Sequence, residues 1–344
     1  MRKFLIPAKD TTIYQTFPTN NAGLDEILEI GKVIDTTQVD PSYVTSSARS
    51  LLYFNLPTTA SVSTGSSYFL NLRLANATNV LRNQTLVVYQ ISQSWDEGSG
   101  FFYENVKNSN DGATWNQLGL YTSWSQAGGT FLTASTSAST ILNTYPLEDI
   151  RIDVTNILQP IVNSNSTSYG LAIQFPSTDE ANINNMGNIK VFSTQTHTVH
   201  QPTLEIAWDN QTFITGSVLA AIPSLNVKII PTNIKEVYTQ GDIARIDINV
   251  RDEYPLKSFD STLRYKNKYY LPSSSYYSIV DVQSNLTIIP FDNYSKIHCD
   301  GTNSYMVLDT SPLYKGRFYT IRFKMDWNGY SRTIGNGTIF KIDL

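Results

Sequence analysis

Short segments in which polar and apolar residues alternate are separated by clusters of Gly, Asn and Ser along the whole chain. In Tyr68–Leu74 the odd-numbered positions hold Phe, Asn and Arg, whereas the even-numbered positions hold Tyr and Leu. A repeat of two residues places alternate side chains on opposite faces of a strand, and helical repeats are scarce here. Similar runs occupy 85–91, 170–175, 203–208, 244–250, 318–325 and 337–342. The pattern predicts an all-β protein.

The composition narrows the class of protein. The 344 residues suit two domains better than one. Hydrophobic residues, at 41%, are sufficient for packed cores, whereas the net charge of −4 and the absence of a basic run indicate no nucleic-acid partner. The single cysteine, Cys299, permits no internal disulfide. The apolar run after Met1-Arg2-Lys3 is too short for a secretory signal peptide, and no stretch approaches a membrane span.

The domain boundary is expected in a run of small and polar residues that follows Trp208. We predict a first unit at 1–212, a linker at 213–223 and a second unit at 224–344. The second unit, with about 120 residues, has the size of an Ig-like β-sandwich.

Three segments depart from the strand pattern. Residues 146–150 and 153–160 are predicted to be short helices, the second capped by Asp153 and ended by Pro160. Residues 97–135 form a long, Gly-rich excursion that contains Trp115 and Trp124. Such a loop is unusual unless it is functional or covered by a partner.

An ordered series of short segments spans residues 5–209. The segments are Asp10-Thr11-Thr12-Ile13, Asn21-Ala22-Gly23, Leu28 with Gly31, Arg49 to Leu56, Tyr68 to Leu74, Trp95-Asp96-Glu97 with Trp115, Asp153-Val154-Thr155, Gly170 to Ile173, Phe192-Ser193, and Pro202 to Ile206. In this order they resemble the DNRLRE-type β-sandwich family. The resemblance implies a jelly-roll-like β-sandwich that serves as a carbohydrate-binding or surface-attachment module.

A second series lies in the C-terminal unit. Its segments are Tyr254-Pro255, Tyr269 to Tyr277, Ile288 to Asp292, Cys299-Asp300 and Arg317-Phe318-Tyr319. They are similar to a C-terminal module of virion proteins from large contractile-tailed bacteriophages. The resemblance implies a virion component, made in the host cytoplasm and present in several copies of a symmetric assembly. Its partners would be other virion structural proteins of the head, neck, tail, baseplate or fibres.

No group of residues in the sequence indicates catalysis or metal binding. Asp96 and Glu97 are adjacent, and neighbours on a strand point to opposite faces, so they do not converge on a sugar. His197 and His200 lie in a loop without a further ligand, and His298 diverges from the cysteine beside it. We therefore predict a non-enzymatic protein without cofactor or metal.

Aromatic residues are the candidate binding residues. Trp115, Tyr121 and Trp124 could stack on a glycan, although packing within the chain or against a subunit is favoured. Four tyrosines surround Leu271-Pro272, and alternation turns about half of such rings away from their own core. They are Tyr269, Tyr270, Tyr276 and Tyr277.

Three functions from different classes follow. The first is a phage virion structural protein that binds neighbouring subunits through strand edges and buried aromatic residues. The alternative is a carbohydrate-binding adhesin that recognises a host-surface glycan. A glycan-active enzyme is the third hypothesis, and it lacks a credible carboxylate pair in the sequence.

Overall fold

The computed structural model of the chain describes residues 1–34, 45–58, 62–101, 111–133, 137–143, 147–184, 186–216, 218–254 and 268–343. The chain forms two compact units, the first Phe4–Ile206 and the second Met1–Lys3 with Ala207–Leu344. Strands make up 47% of the described residues and helices 4%, which confirms the predicted all-β class. No described helix has both the length and the apolar character that crossing a membrane requires.

The described residues before 208 form fourteen strands and two short helices. They are β1 (Arg2–Leu5), β2 (Lys9–Tyr14), β3 (Ile27–Ile34), β4 (Thr45–Tyr53), β5 (Ser67–Leu72), β6 (Leu74–Thr78), β7 (Gln84–Gln90), β8 (Gln117–Gly119), β9 (Thr122–Ser123), β10 (Ser137–Leu142), β11 (Ile150–Asp153), α1 (Thr155–Asn163), β12 (Leu171–Gln174), α2 (Ser177–Glu180), β13 (Gly187–Phe192) and β14 (Thr203–Ala207).

Two sheets dominate this part of the chain. A four-stranded sheet has the order β1-β14-β5-β11. An eight-stranded sheet has the order β10-β7-β12-β4-β3-β13-β6, with β2 also paired to β4. Strand β5 shows the expected alternation, because Tyr68, Leu70 and Leu72 are fully buried and the residues between them are not. In β4 both Leu51 and Leu52 are fully buried, so this strand is covered on both faces.

The predicted helices differ from the observed ones. Residues 147–149 are not helical and Ile150 begins strand β11, while Pro146 lies outside the described residues. Helix α1 extends beyond Pro160, which lies inside it. The helix buries Ile157, Leu158, Ile161 and Val162, and this apolar packing offsets the hydrogen bond that a proline removes. The N-cap is Val154 and not the predicted Asp153, and no side chain caps the helix; Asp153 Oδ1 accepts the Thr155 N–H at 2.9 Å, just before the first turn.

Twelve strands lie in the described part of the chain after residue 208. They are β15 (Phe213–Ile214), β16 (Ala220–Ala221), β17 (Val227–Pro231), β18 (Val237–Tyr238), β19 (Ile243–Asp252), β20 (Tyr269–Tyr270), β21 (Ser275–Asp281), β22 (Thr287–Ile289), β23 (His298–Asp300), β24 (Ser304–Asp309), β25 (Phe318–Trp327) and β26 (Tyr330–Ile342).

Two five-stranded sheets enclose the core of the second unit. The β19 sheet has the order β15-β23-β24-β19-β17, and the β25 sheet has the order β18-β26-β25-β21-β22. Alternate residues of β25, Tyr319, Ile321, Phe323 and Met325, are fully buried in one apolar cluster. The segment 213–223, interpreted from the sequence as a linker, contains β15 and β16, which pair in parallel with β23 and β20.

Candidate functional site

The aromatic excursion that follows β7 packs on one face of the eight-stranded sheet. Trp95, Trp115 and Trp124 form a buried cluster with Leu51 of β4 and Ala172 of β12. Trp115 and Trp124 are only 9% and 5% exposed. Their rings therefore pack this segment onto the sheet, which is the role that the sequence favoured, and little of either ring is exposed to a sugar. Residues 102–110 and 134–135 of the excursion lie outside the described residues.

Arg49 of β4 holds the excursion to the sheet. Its guanidinium lies 4.7 Å from the centroid of the Trp115 ring and donates to the Gly128 carbonyl at 2.6 Å. The same group forms a bidentate pair with Glu180 of α2, at 3.0 and 2.5 Å. Both charged side chains are mostly buried. The planar Arg49 guanidinium can pair with the Glu180 carboxylate and stack on the Trp115 ring at the same time.

Asn21 joins both ends of the segment that contains residues 102–110. Its Nδ2 donates to the carbonyls of Glu97 and Ala113, at 2.7 and 2.8 Å. Its Oδ1 accepts the N–H of Gly100 at 2.8 Å. A side chain on Gly112 would lie 2.3 Å from the Asn21 amide, so only glycine allows this close approach.

Strands β8 and β9 form a small hairpin whose tip is exposed. Leu120 and Tyr121 connect the strands, and Tyr121 is 81% exposed with a φ of 56°. Positive φ is unfavourable for a bulky residue, so the turn displays this ring at a conformational cost. Of the three aromatic residues proposed for the excursion, Tyr121 is the one with a free ring.

A cleft of about 290 Å³ opens beside Trp95, and we call it the Trp95 cleft. Lys9 Nζ donates to the Trp95 carbonyl at 2.9 Å and lies 3.3 Å from Asp96 Oδ1. Trp95 Nε1 donates to the Tyr169 carbonyl at 2.8 Å, which fixes the indole. Aromatic walls beside hydroxyl and amine groups suit a small polar ligand with an apolar face. The lining residues are Lys9, Tyr53, Ser94, Trp95, Thr167, Ser168 and Tyr169.

Two carboxyl groups meet next to this cleft. Asp10 is 1% exposed, and its oxygens accept the N–H and hydroxyl of Thr194 at 2.7 and 2.8 Å. Glu97 accepts the Asp10 N–H at 2.9 Å and also hydrogen-bonds the Asp10 carboxyl. Burial raises the pKa of Asp10 to about 7 and also raises the pKa of Glu97.

The carboxyl pair joins three parts of the first unit. Asp10 lies in β2, Glu97 follows Trp95 and Thr194 follows β13. Glycosidase carboxyls are separated by at least about 5 Å so that a glycosidic bond fits between them, and these two are in direct contact. The geometry therefore suits structural support of the fold, and the pair does not line the Trp95 cleft.

The four tyrosines of the second unit divide into two pairs. Tyr269 and Tyr277 are buried in the core, where burial raises the pKa of Tyr277 to about 12. Tyr270 and Tyr276 are half-buried. Tyr270 packs edge-on against Phe213, and Lys324 Nζ lies 5.9 Å from the centroid of the Tyr276 ring.

The outer face of the β25 sheet carries exposed apolar side chains. Phe318 pairs with Lys341, Ile339 with Thr320 and Val237 with Lys341, so these residues share one face. Val282 joins them, because its N–H donates to the Phe318 carbonyl. We call Val237, Val282, Phe318 and Ile339 the apolar patch, and each is 42–51% exposed. Exposed apolar side chains grouped on one face are a common feature of interaction sites.

The histidines and the cysteine form no reactive group. His197 is exposed, and its Nε2 lies 3.4 Å from Glu26. His298 stacks on Tyr305, with ring centroids 4.9 Å apart, and its Nδ1 accepts the Thr212 N–H at 3.0 Å. Cys299 is buried and free. Within the described ranges, no cluster of three or more His, Cys, Asp or Glu residues could hold a metal ion.

Sequence reasoning missed the Trp95 cleft, the carboxyl pair and the apolar patch. Asp10 and Glu97 are distant in sequence, and nothing in a single sequence reports that they meet. The patch depends on which strands are neighbours, and β18 pairs with β26 from the other end of the unit. Only the exposed alternate positions of β25 and β26 gave a local signal.

Comparisons with known proteins add little to this description. No family model matches the chain, and no curated protein matches it. A solved structure to which it is similar is a DUF4785 family protein from Legionella pneumophila, at 8% identity and a TM-score of 0.21. The alignment covers all of this chain and spans 65% of that structure's length.

Proposed function

We propose that the chain is a non-catalytic structural protein of a tailed-phage virion and that it binds neighbouring subunits. The apolar patch on the β25 sheet carries this proposal, since such a surface is normally covered by a partner. The two sequence resemblances also support the proposal, because they imply a jelly-roll-like sandwich followed by an Ig-like sandwich in a virion protein. The direct contact between Asp10 and Glu97 supports the absence of glycosidase chemistry.

Mass spectrometry of purified phage particles tests the virion role. The chain should be present in stoichiometric amounts relative to known capsid or tail subunits, and antibody labelling should locate it on the particle. Particles that assemble normally and lack the chain would exclude the proposal. A position in head, neck, tail or baseplate would follow from the labelled site.

Carbohydrate binding is the second candidate, and the Trp95 cleft favours it. Tyr53 and Tyr169 offer apolar walls, while Lys9 and the serine hydroxyls offer hydrogen bonds. Glycan-array binding of the whole chain should be lost in Tyr169→Ala, which keeps the backbone carbonyl that accepts from Trp95. Tyr330→Ser is the matched control, because it removes an exposed ring of the second unit that is not a candidate binding residue. Binding that survives Tyr169→Ala would place the ligand elsewhere.

A further inference from the structure

One row of side chains crosses the apolar patch at the level of Lys341. Val237 and Phe318 lie on either side of Lys341, and Val282 lies beyond Phe318. The row thus crosses β18, β26 and β25, ends at the residue that follows β21, and has Lys341 as its one charged side chain. Lys341 forms no ion pair with any residue in the described part of the chain.

Asp343 continues the same face one step further. The N–H groups of Lys341 and Asp343 donate to the carbonyls of Glu236 and Tyr238 in turn, so the strand geometry extends past Ile342. Because Ile342 points into the core, Lys341 and Asp343 both point outward. Asp343 is exposed and, among the described residues, lacks an ion-pair partner. The face therefore carries a positive and a negative charge two residues apart.

We propose that this face binds a second copy of the chain through a two-fold axis that lies in the interface, perpendicular to β26, and passes over that strand between Lys341 and Asp343. The axis reverses the strand direction, so Lys341 of each copy meets Asp343 of the other. The same operation places the rows of Val237, Phe318 and Val282 from the two copies side by side. A two-fold contact requires a surface complementary to itself, and this charge order satisfies that requirement. The inference rests on the proposed subunit-binding role of the patch and names the partner.

The first test is the mass of the whole chain in solution. Sedimentation velocity over a range of concentrations should show the mass rise from 38.6 kDa towards twice that value. A standard interface buries ~800 Å² per partner, whereas the apolar patch consists of four half-exposed side chains, so the association should be reversible. A chain that stays monomeric at all concentrations overturns the proposal.

Charge reversal distinguishes this contact from any other. Lys341→Asp and Asp343→Lys should each weaken the dimer by about tenfold or more, because like charges then face each other. A mixture of these two variants should associate as strongly as the natural chain, and so should the double variant alone. Lys228→Glu, on the exposed side of β17 in the other sheet, is the matched control and should leave association unchanged.

The possible outcomes separate this inference from the virion role. If neither charge reversal weakens the dimer, the dimer forms through another surface, and that result rejects the two-fold contact. If the charge swap restores the dimer but the chain is absent from particles, the contact stands and the virion role fails. If the chain is abundant in particles but stays monomeric in solution, the virion role stands and the two-fold contact fails.

Discussion

In the first unit a face of the eight-stranded sheet lies beneath the chain's own aromatic segment, whereas in the second unit the outer face of the β25 sheet remains open. The first face uses Leu51 and Ala172 to bind Trp95, Trp115 and Trp124. The second carries Phe318 and Ile339 at the surface. Both faces have apolar residues at alternate positions, so the difference lies in what covers them. The covered face stabilises the fold, and the open face is available to a partner.

Removal of a ring from the covered face should have the largest effect. Trp115→Ala creates a cavity between the excursion and β4 and should lower the free energy of unfolding of the first unit by about 3–5 kcal/mol. Hydrogen exchange measured by mass spectrometry should show faster exchange in β4 and in residues 111–133. Unchanged protection there would mean that the excursion contributes little to this unit.

The carboxyl pair should make the covered face sensitive to pH. The pKa of Asp10 is about 7 in the folded chain, above its unfolded value of about 3.9. The folded state thus holds an additional proton between pH 4 and 7, and stability falls as the pH rises through this range. We expect a loss of roughly 2–3 kcal/mol from pH 4 to 7 that Asp10→Asn largely abolishes.

Urea unfolding at several pH values measures this loss. Asp96→Asn, which changes an exposed neighbour, is the control and should keep the natural pH dependence. A variant at Asp10 with the same slope as the natural chain would assign the titration to another group.

Replacement of the group that clamps the excursion should have a smaller effect. Arg49→Lys keeps the charge but loses the bidentate pair with Glu180 and the contact with the Trp115 ring. Stability should fall by roughly 1–2 kcal/mol, as judged by thermal unfolding. Arg245→Lys offers a matched control, since that arginine stacks on Tyr305 at the surface of the β19 sheet. Equal losses in both variants would show that burial is not the cause.

Change on the open face should affect stability least. Phe318→Ser exchanges a half-exposed ring for a polar group and should alter the unfolding free energy by less than about 0.5 kcal/mol. The same change should weaken self-association in sedimentation experiments. A large loss of stability in the monomer would show that Phe318 belongs to the core and would remove the contrast between the two faces.

The local alternation of polar and apolar residues was enough to predict much of the fold. The alternation in β5, β19 and β25 predicts their buried faces, because one strand carries that information by itself. The sequence predicts a helix end at Pro160, but the buried residues on both sides of it keep α1 intact. The roles of Trp115 and Asp10 could not be predicted from the sequence, since each depends on a residue that is distant in sequence and that the folded sheet brings close.

The buried thiol of Cys299 makes the natural chain convenient for site-specific labels. Burial raises the pKa of this thiol, so little thiolate is present to react at neutral pH. A cysteine introduced at an exposed position such as Tyr121 or Tyr330 would react first. Spin labels or fluorophores at such positions in each unit would report the distance between the units without removal of the native thiol.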